Sequence, residues 1–383
     1  MLVPLSNAPR SYAWGSRHLL AELEGRPPAI EPEAEVWFGD HPDDPAVTAD
    51  GRTLDRWLEE DGAATGAPAR LPYLLKLLAA ASNLSIQAHP SIDQAEHGFE
   101  REESAGIPRE APERTYRDRN HKPELIVALA DGFRALVGLR PLAETRLLLS
   151  EIGPAGSALA DRLDGTDEST KDAIAWILSD DAAAQVRAII RAARSAASGA
   201  FVVELSMAAD LDDRYPGDPG IVVALLMNLV TLRRGEGVFV PAGVLHAYLG
   251  GIGVEVMAAS DNVVRGGLTP KHVDVPALVE LLDTTMSPVP VLRPVGEGEG
   301  VVRYDTPVRD FALRAVTATA AGTVVRVVGT GIALATAGEV AVESALSSSR
   351  VLLRAGDAVL ITPDEGSVRL VGDGDLFLAT PGS

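Results

Sequence analysis

The segment VFVPAGVLHAYLGGIGVEVMAASDNVVRGGLTPKH, residues 238–272, opens on an apolar run, Val238-Phe239-Val240, that breaks at Pro241 and Gly243. A histidine, His246, follows the break, and after Gly250, Gly251 and Gly253 comes the alternating run Val254-Glu255-Val256. Strand, turn, histidine and strand in that order predict one hairpin of a small β-barrel. Pro241 lacks a backbone donor and so belongs at a strand end. His246 is then expected at a barrel mouth, open to a ligand or metal. Taken alone it is as readily a core or loop histidine.

Two other stretches raise the stakes. In LSIQAHP, Gln87 and His89 stand two apart and share one face of an extended strand that Pro90 stops. In NHKPELIV, Lys122 and Glu124 share a face in the same way. Gln87, His89, Glu124 and His246 together offer an amide oxygen, two imidazoles and a carboxylate. Such N/O surroundings suit a divalent ion, zinc in the first place, with a position left for solvent or substrate.

Composition narrows the partners. The chain has 383 residues, 46% of them hydrophobic, enough for two or three compact units. No apolar run reaches the roughly 18–20 residues of a membrane span, so no membrane partner is expected. The start, MLVPLSNAPRSYAWGS, lacks the basic-then-apolar pattern of a secretory signal. With no cysteine, a metal must be held by His, carboxylate or amide groups, and a reducing cytoplasm is the expected location. A formal net charge of −20 argues against nucleic acid and would repel an anionic substrate as a whole. A phosphorylated ligand would need local cations, and Arg265, Lys271, Lys122 and Lys76 lie in or near the metal-ligand stretches.

Along the chain, residues 1–140 read as the first part of a β-barrel with short helices, including a helix capped by Ser91. Leu54 to Glu60 and Tyr73 to Ala81 fit a helix or a buried strand equally well. From 141 to 231, LAETRLLLSEIG, KDAIAWILSDDAAAQVRAIIRAARSAA and IVVALLMNLVTL show helical spacing and predict an inserted helical domain, with Ser169 or Thr170 as a cap. Residues 232–300 return to the barrel with His246 and Arg265. Residues 301–383 are short Val-rich strands with Gly turns, the pattern of a jelly roll. There RAGDAVLITP repeats the layout of RRGEGVFVPAG about 120 residues later, without the histidine. The expected class is therefore mainly β with inserted α: two jelly-roll-like barrels and a helical domain.

LPYLLKLLAAASNLSIQAHP, DRNHKPELIVAL, YPGDPGIVVALLMNLVTL and VPAGVLHAYLGGIGVEVMAASDNVVRGGLTPKH resemble the class I mannose-6-phosphate isomerases, zinc-dependent cupins. The resemblance runs in order from YAWGS (12–16) to TPVRDFAL (306–313). It departs at Phe38, where a methionine is usual, and in a short C-terminal region. It implies one Zn²⁺ per chain on Gln87, His89, Glu124 and His246, an active-site arginine at Arg265 and an active-site lysine at Lys122. It also implies interconversion of mannose 6-phosphate and fructose 6-phosphate through an enediol, with zinc polarising the substrate oxygens and Arg265 facing the developing charge. The proton-transfer group is left open among Glu255, Lys122, His121 and Asp261. Lys271, Lys76 and Ser85 are expected at the phosphate end, and a monomer is expected. The competing reading is a non-catalytic cupin that binds metal or sugar phosphate.

Overall fold

The computed structural model describes residues 1–196 and 199–382 and contains two ten-stranded sheets and ten α-helices. The strand His246–Ala258 organises the first sheet. Its second half pairs antiparallel with Tyr73–Ala80 on one side and Glu124–Ala128 on the other. Its first half pairs instead with Phe133–Leu139 and, at His246, with Gln87 of the strand Ile86–Ala88. The change of partners falls at a register irregularity between Tyr248 and Gly250, next to Gly251 with φ +125°. A side chain at Gly251 would lie 2.7 Å from the Phe133 ring, so only glycine fits.

The expected closed barrels do not form. The described strands run as open paths, from Val264–Gly267 to Val291–Leu292 in one sheet and from Val295–Gly298 to Val47–Thr48 in the other. Closure would require the edge strands to find each other, and here glycine bends turn the long strands without joining the edges. The architecture is a mixed α/β fold rather than two cupin or jelly-roll barrels with a helical addition. What survives of the repeat is a turn. Glu236 accepts the Arg233 N–H at 3.0 Å and Asp357 accepts the Arg354 N–H at 2.9 Å, around Gly235 and Gly356, both with positive φ.

Periodicity is silent at Tyr73–Ala80 for a physical reason. All eight of its residues are buried, because the sheet is covered on both faces. Leu75 and Leu77 join Val254, Val256, Leu313, Leu334 and Phe377 in the core between the two sheets. Lys76 and Leu78 point to the opposite, interior face, where Leu78 packs with Ile126, Ala128 and Tyr248. Tyr73 fastens the sheets by donating its hydroxyl toward the carbonyls of Thr330 (2.9 Å) and Ala379 (3.2 Å).

Helices occupy the chain between Leu142 and Leu226 and pack through Leu148, Ile174, Ile189 and Leu225 against Ile86, Leu136 and Ala247 behind the His246 half of the site. The KDAIAWILSDDAAAQVRAIIRAARSAA stretch is two helices, Asp167–Ile177 and Ala183–Ser195, with residues 197–198 outside the described range. Its cap is Thr166, whose hydroxyl accepts the Ser169 N–H, not Ser169 or Thr170. IVVALLMNLVTL changes from helix to strand at Met227. A run apolar at nearly every position carries no period to tell the two apart. The helix Ile92–Ser104 does start at Ser91, in a capping box with Gln94.

Candidate metal centre and active site

Four strands set the distant residues side by side. Arg265 pairs with Gln87, Gln87 with His246, and Glu124 with Met257 on the other half of the bent strand. Glu124 ends up between two imidazoles. Its Oε1 lies 3.2 Å from His89 Nε2 and its Oε2 lies 3.2 Å from His246 Nε2. The rings of His89 and His246 are 4.9 Å apart, and ligand atoms of the three residues lie within 4.8 Å of one another.

The tautomers bear on what belongs there. His89 Nδ1 lies 2.7 Å from the Asn262 carbonyl and His246 Nδ1 lies 3.2 Å from that of Val244, so each Nδ1 carries the proton and donates it. Both Nε2 atoms then present lone pairs toward Glu124. Burial pushes His89 down to about 4, despite the attraction of Glu124, so its ring is neutral near pH 7. Glu124 is held well below the usual carboxylate range: burial opposes ionisation, but the Lys122 ammonium 3.3 Å away favours it. Lone pairs facing a carboxylate in a dry pocket are repulsive unless a cation lies between them. Gln87 lines the same pocket, its amide N–H₂ donating to Ser85 Oγ at 3.3 Å, which leaves the amide oxygen for a ligand. The donor set fits zinc.

Beside this triad lies a second buried cluster. Lys76 Nζ is 3.2 Å from Glu255 and 3.5 Å from Glu35, and sits over the Trp37 ring at 4.9 Å. Glu35 also accepts the Trp37 indole N–H at 3.0 Å. Burial raises the Glu255 carboxyl, Lys76 opposes that, and Glu124 and Glu35 reinforce it. Lys122 Nζ lies 3.3 Å from Glu124, and its charge also acts on Glu255. The Tyr248 hydroxyl is buried in the same pocket with no hydrogen-bond partner among the described residues.

The remaining sequence-predicted residues are placed differently. His121 turns away to Asp310, 2.9 Å from its Nε2, and Asp261 faces His41 at 3.1 Å. Neither lines the pocket that holds Glu124 and Glu255. Lys76 is enclosed by two carboxylates, surroundings that oppose a phosphate. Among the described residues no carboxylate is paired with Arg265 or Lys271. Burial and the neighbouring Arg117 charge lower Arg265, and burial with Arg265 and Arg117 lowers Lys271. Sequence reasoning missed Glu35, Trp37, Tyr248, His41 and Arg117. EVWFGDHP carried Glu35 and Trp37 on one face by the same two-residue rule that found Gln87 and His89.

Comparison with known proteins decides the family. Residues 2–142 match the family model for the phosphomannose isomerase type I catalytic domain. Mannose-6-phosphate isomerase of Salmonella typhimurium is 36% identical over 388 residues, 97% of either chain. The chain belongs to the mannose-6-phosphate isomerase family. The human member is 32% identical over 420 residues, covering 98% of this chain and 97% of its own. A crystal structure of zinc-bound mannose 6-phosphate isomerase superposes with a TM-score of 0.90 at 33% identity, over 100% of both chains. One bound with zinc and yttrium gives 0.90 at 32% identity, again over 100% of both. The protein is an isomerase with a zinc cofactor, and the buried His89, Glu124 and His246 triad is where its donor atoms meet.

Proposed function

We propose a division of labour among residues for the reaction this enzyme catalyses, the zinc-dependent isomerisation of mannose 6-phosphate to fructose 6-phosphate. Gln87, His89, Glu124 and His246 would hold the ion. When bound, zinc supplies Lewis acidity that polarises the sugar's C1–C2 oxygens and acidifies the adjacent C–H. Glu255 is the base: its carboxylate takes the proton from C2 and returns it to C1. Lys122 gives a proton to O1 as the enediol forms and recovers one from O2 as the ketose forms. Arg265, half-buried and without a carboxylate partner among the described residues, faces the charge that develops on these oxygens.

The observation that carries the assignment is the raised, buried Glu255 in the pocket that Glu124 also lines. A carboxyl raised toward neutrality is a better base than an exposed one. His121 and Asp261 are engaged by Asp310 and His41, which supports setting them aside as bases. Lys271 and Ser85, with Arg117, are the proposed phosphate contacts. Lys76 goes with Glu255 instead. Among the described residues no helix is long and apolar enough to cross a membrane. A monomer in the cytoplasm remains our proposal, the lack of cysteine supporting the latter, and sedimentation tests the former. The roles of the metal residues are tested by His246→Ala. The variant should bind less than about a tenth of the wild-type zinc and lose turnover by about a thousandfold or more, as chelated wild-type enzyme should. Full zinc content with full turnover would remove His246 from the metal.

A further inference from the structure

The bent strand places Glu255 beside Lys76, and the strand pairing places Lys76 beside Trp37, so three hydrogen-bonded strands carry the three groups in register. Glu35 stands two residues from Trp37 on the same face and reaches Lys76 from the side opposite Glu255. The two carboxylates divide one ammonium, at 3.5 and 3.2 Å. All three side chains are nearly sealed from solvent, with exposures of 8%, 7% and 3% for Glu35, Lys76 and Glu255.

A carboxylate alone with a buried ammonium forms a contact pair, and such a pair is a poor base. A second carboxylate changes the balance, because the ammonium is shared and the cluster keeps one net negative charge. We propose that Glu35 is a positioning residue of the isomerisation: it holds Lys76 off full engagement with Glu255 and so keeps the Glu255 carboxylate basic. The Trp37 indole N–H fixes the Glu35 carboxylate at 3.0 Å, while the Trp37 ring lies under the same ammonium at 4.9 Å. The other charged groups that act on Glu255 are Glu124 and Lys122, and both stand on the metal side. Glu35 is thus the carboxylate that draws on Lys76 from the side away from the zinc ligands.

The inference rests on Glu255 being the proton-transfer base, so the experiment tests both. Glu35→Gln keeps the size of the side chain and an oxygen for the indole N–H but removes the charge. With mannose 6-phosphate as substrate, kcat should fall about tenfold or more while KM stays within about twofold. Zinc content and Tm should match wild type. Glu35→Asp, which restores the charge at shorter reach, should recover part of the lost kcat. Glu255→Gln is the comparator and should abolish turnover. If Glu255→Gln is inactive and Glu35→Gln has wild-type kcat, the positioning role is wrong and the base assignment stands. If Glu255→Gln turns over normally, the base assignment itself fails. A rise in KM alone would make Glu35 a substrate contact and overturn the proposal. So would loss of zinc or of folding in both Glu35 variants, which would make its role structural.

Discussion

Glu124 shows how one residue gathers a site. Each of its oxygens meets an imidazole nitrogen at 3.2 Å, and Lys122 approaches one of them at 3.3 Å. The neutral, buried His89 has a consequence for pH. Unfolded chains take up a proton as pH falls through the ordinary histidine value of 6.5, whereas the folded protein resists until about 4. The zinc-free protein should therefore be fully stable with respect to His89 above pH 6.5 and lose stability as pH falls from there toward 4. The loss should be on the order of 3 kcal/mol at most. Urea unfolding of chelated protein at about pH 7 and about pH 4.5, beside His89→Gln, measures it, and the variant should show the smaller dependence. If Arg265 has the proposed role of facing charge that develops only during reaction, Arg265→Ala should keep its zinc and lose about a hundredfold or more in kcat. Unchanged kinetics would make the arginine structural. At this scale much was legible in the sequence. Gln87, His89, Glu124 and Lys122 sit on extended segments where a spacing of two fixes a shared face. The directions of His121 and Asp261 were not, since each is set by a partner far away in the chain, Asp310 and His41.

Among the elements, the strand His246–Ala258 matters most, since one half carries His246, the proposed metal ligand, and the other Glu255, the proposed base. Gly251 makes the bend between them at φ +125°, against Phe133. Gly251→Ala should cost about 1–3 kcal/mol through backbone strain and the clash with that ring. It should also weaken zinc binding, because the bend sets where His246 stands relative to Glu124. Thermal unfolding with a metal titration checks both, and a variant that matches wild type in each would deny the bend this part. The alternating Val254-Glu255-Val256 announced a strand in the sequence. Tyr73–Ala80 announced nothing, because a strand buried on both faces reads as an unbroken apolar run, and Met227 was hidden for the same reason.

For the molecule as a whole, the two sheets share a core, and the helices back the His246 half of the site. Tyr73 is the polar fastener between the sheets, with its hydroxyl near two carbonyls. Tyr73→Phe should lower stability by about 1–3 kcal/mol and leave kcat within about twofold, because the ring still fills its space and faces away from the pocket. Denaturant unfolding beside the isomerase assay decides it. The sequence showed that two β-rich regions flank a helical one, but not whether their edges meet. Closure depends on tilt and bend accumulated over many strands, to which single-residue patterns are blind.

The alternation along Tyr73–Ala80 has one more consequence. Leu75 and Leu77 face the other sheet, while Lys76 faces the pocket. Were this strand to pair one residue out of step, the ammonium would be pressed into greasy surroundings and the leucines would spill into the reaction chamber. A mispaired sheet would thus have to bury an unmatched charge. The lysine held between two carboxylates therefore disfavours the slipped pairing alongside the leucines.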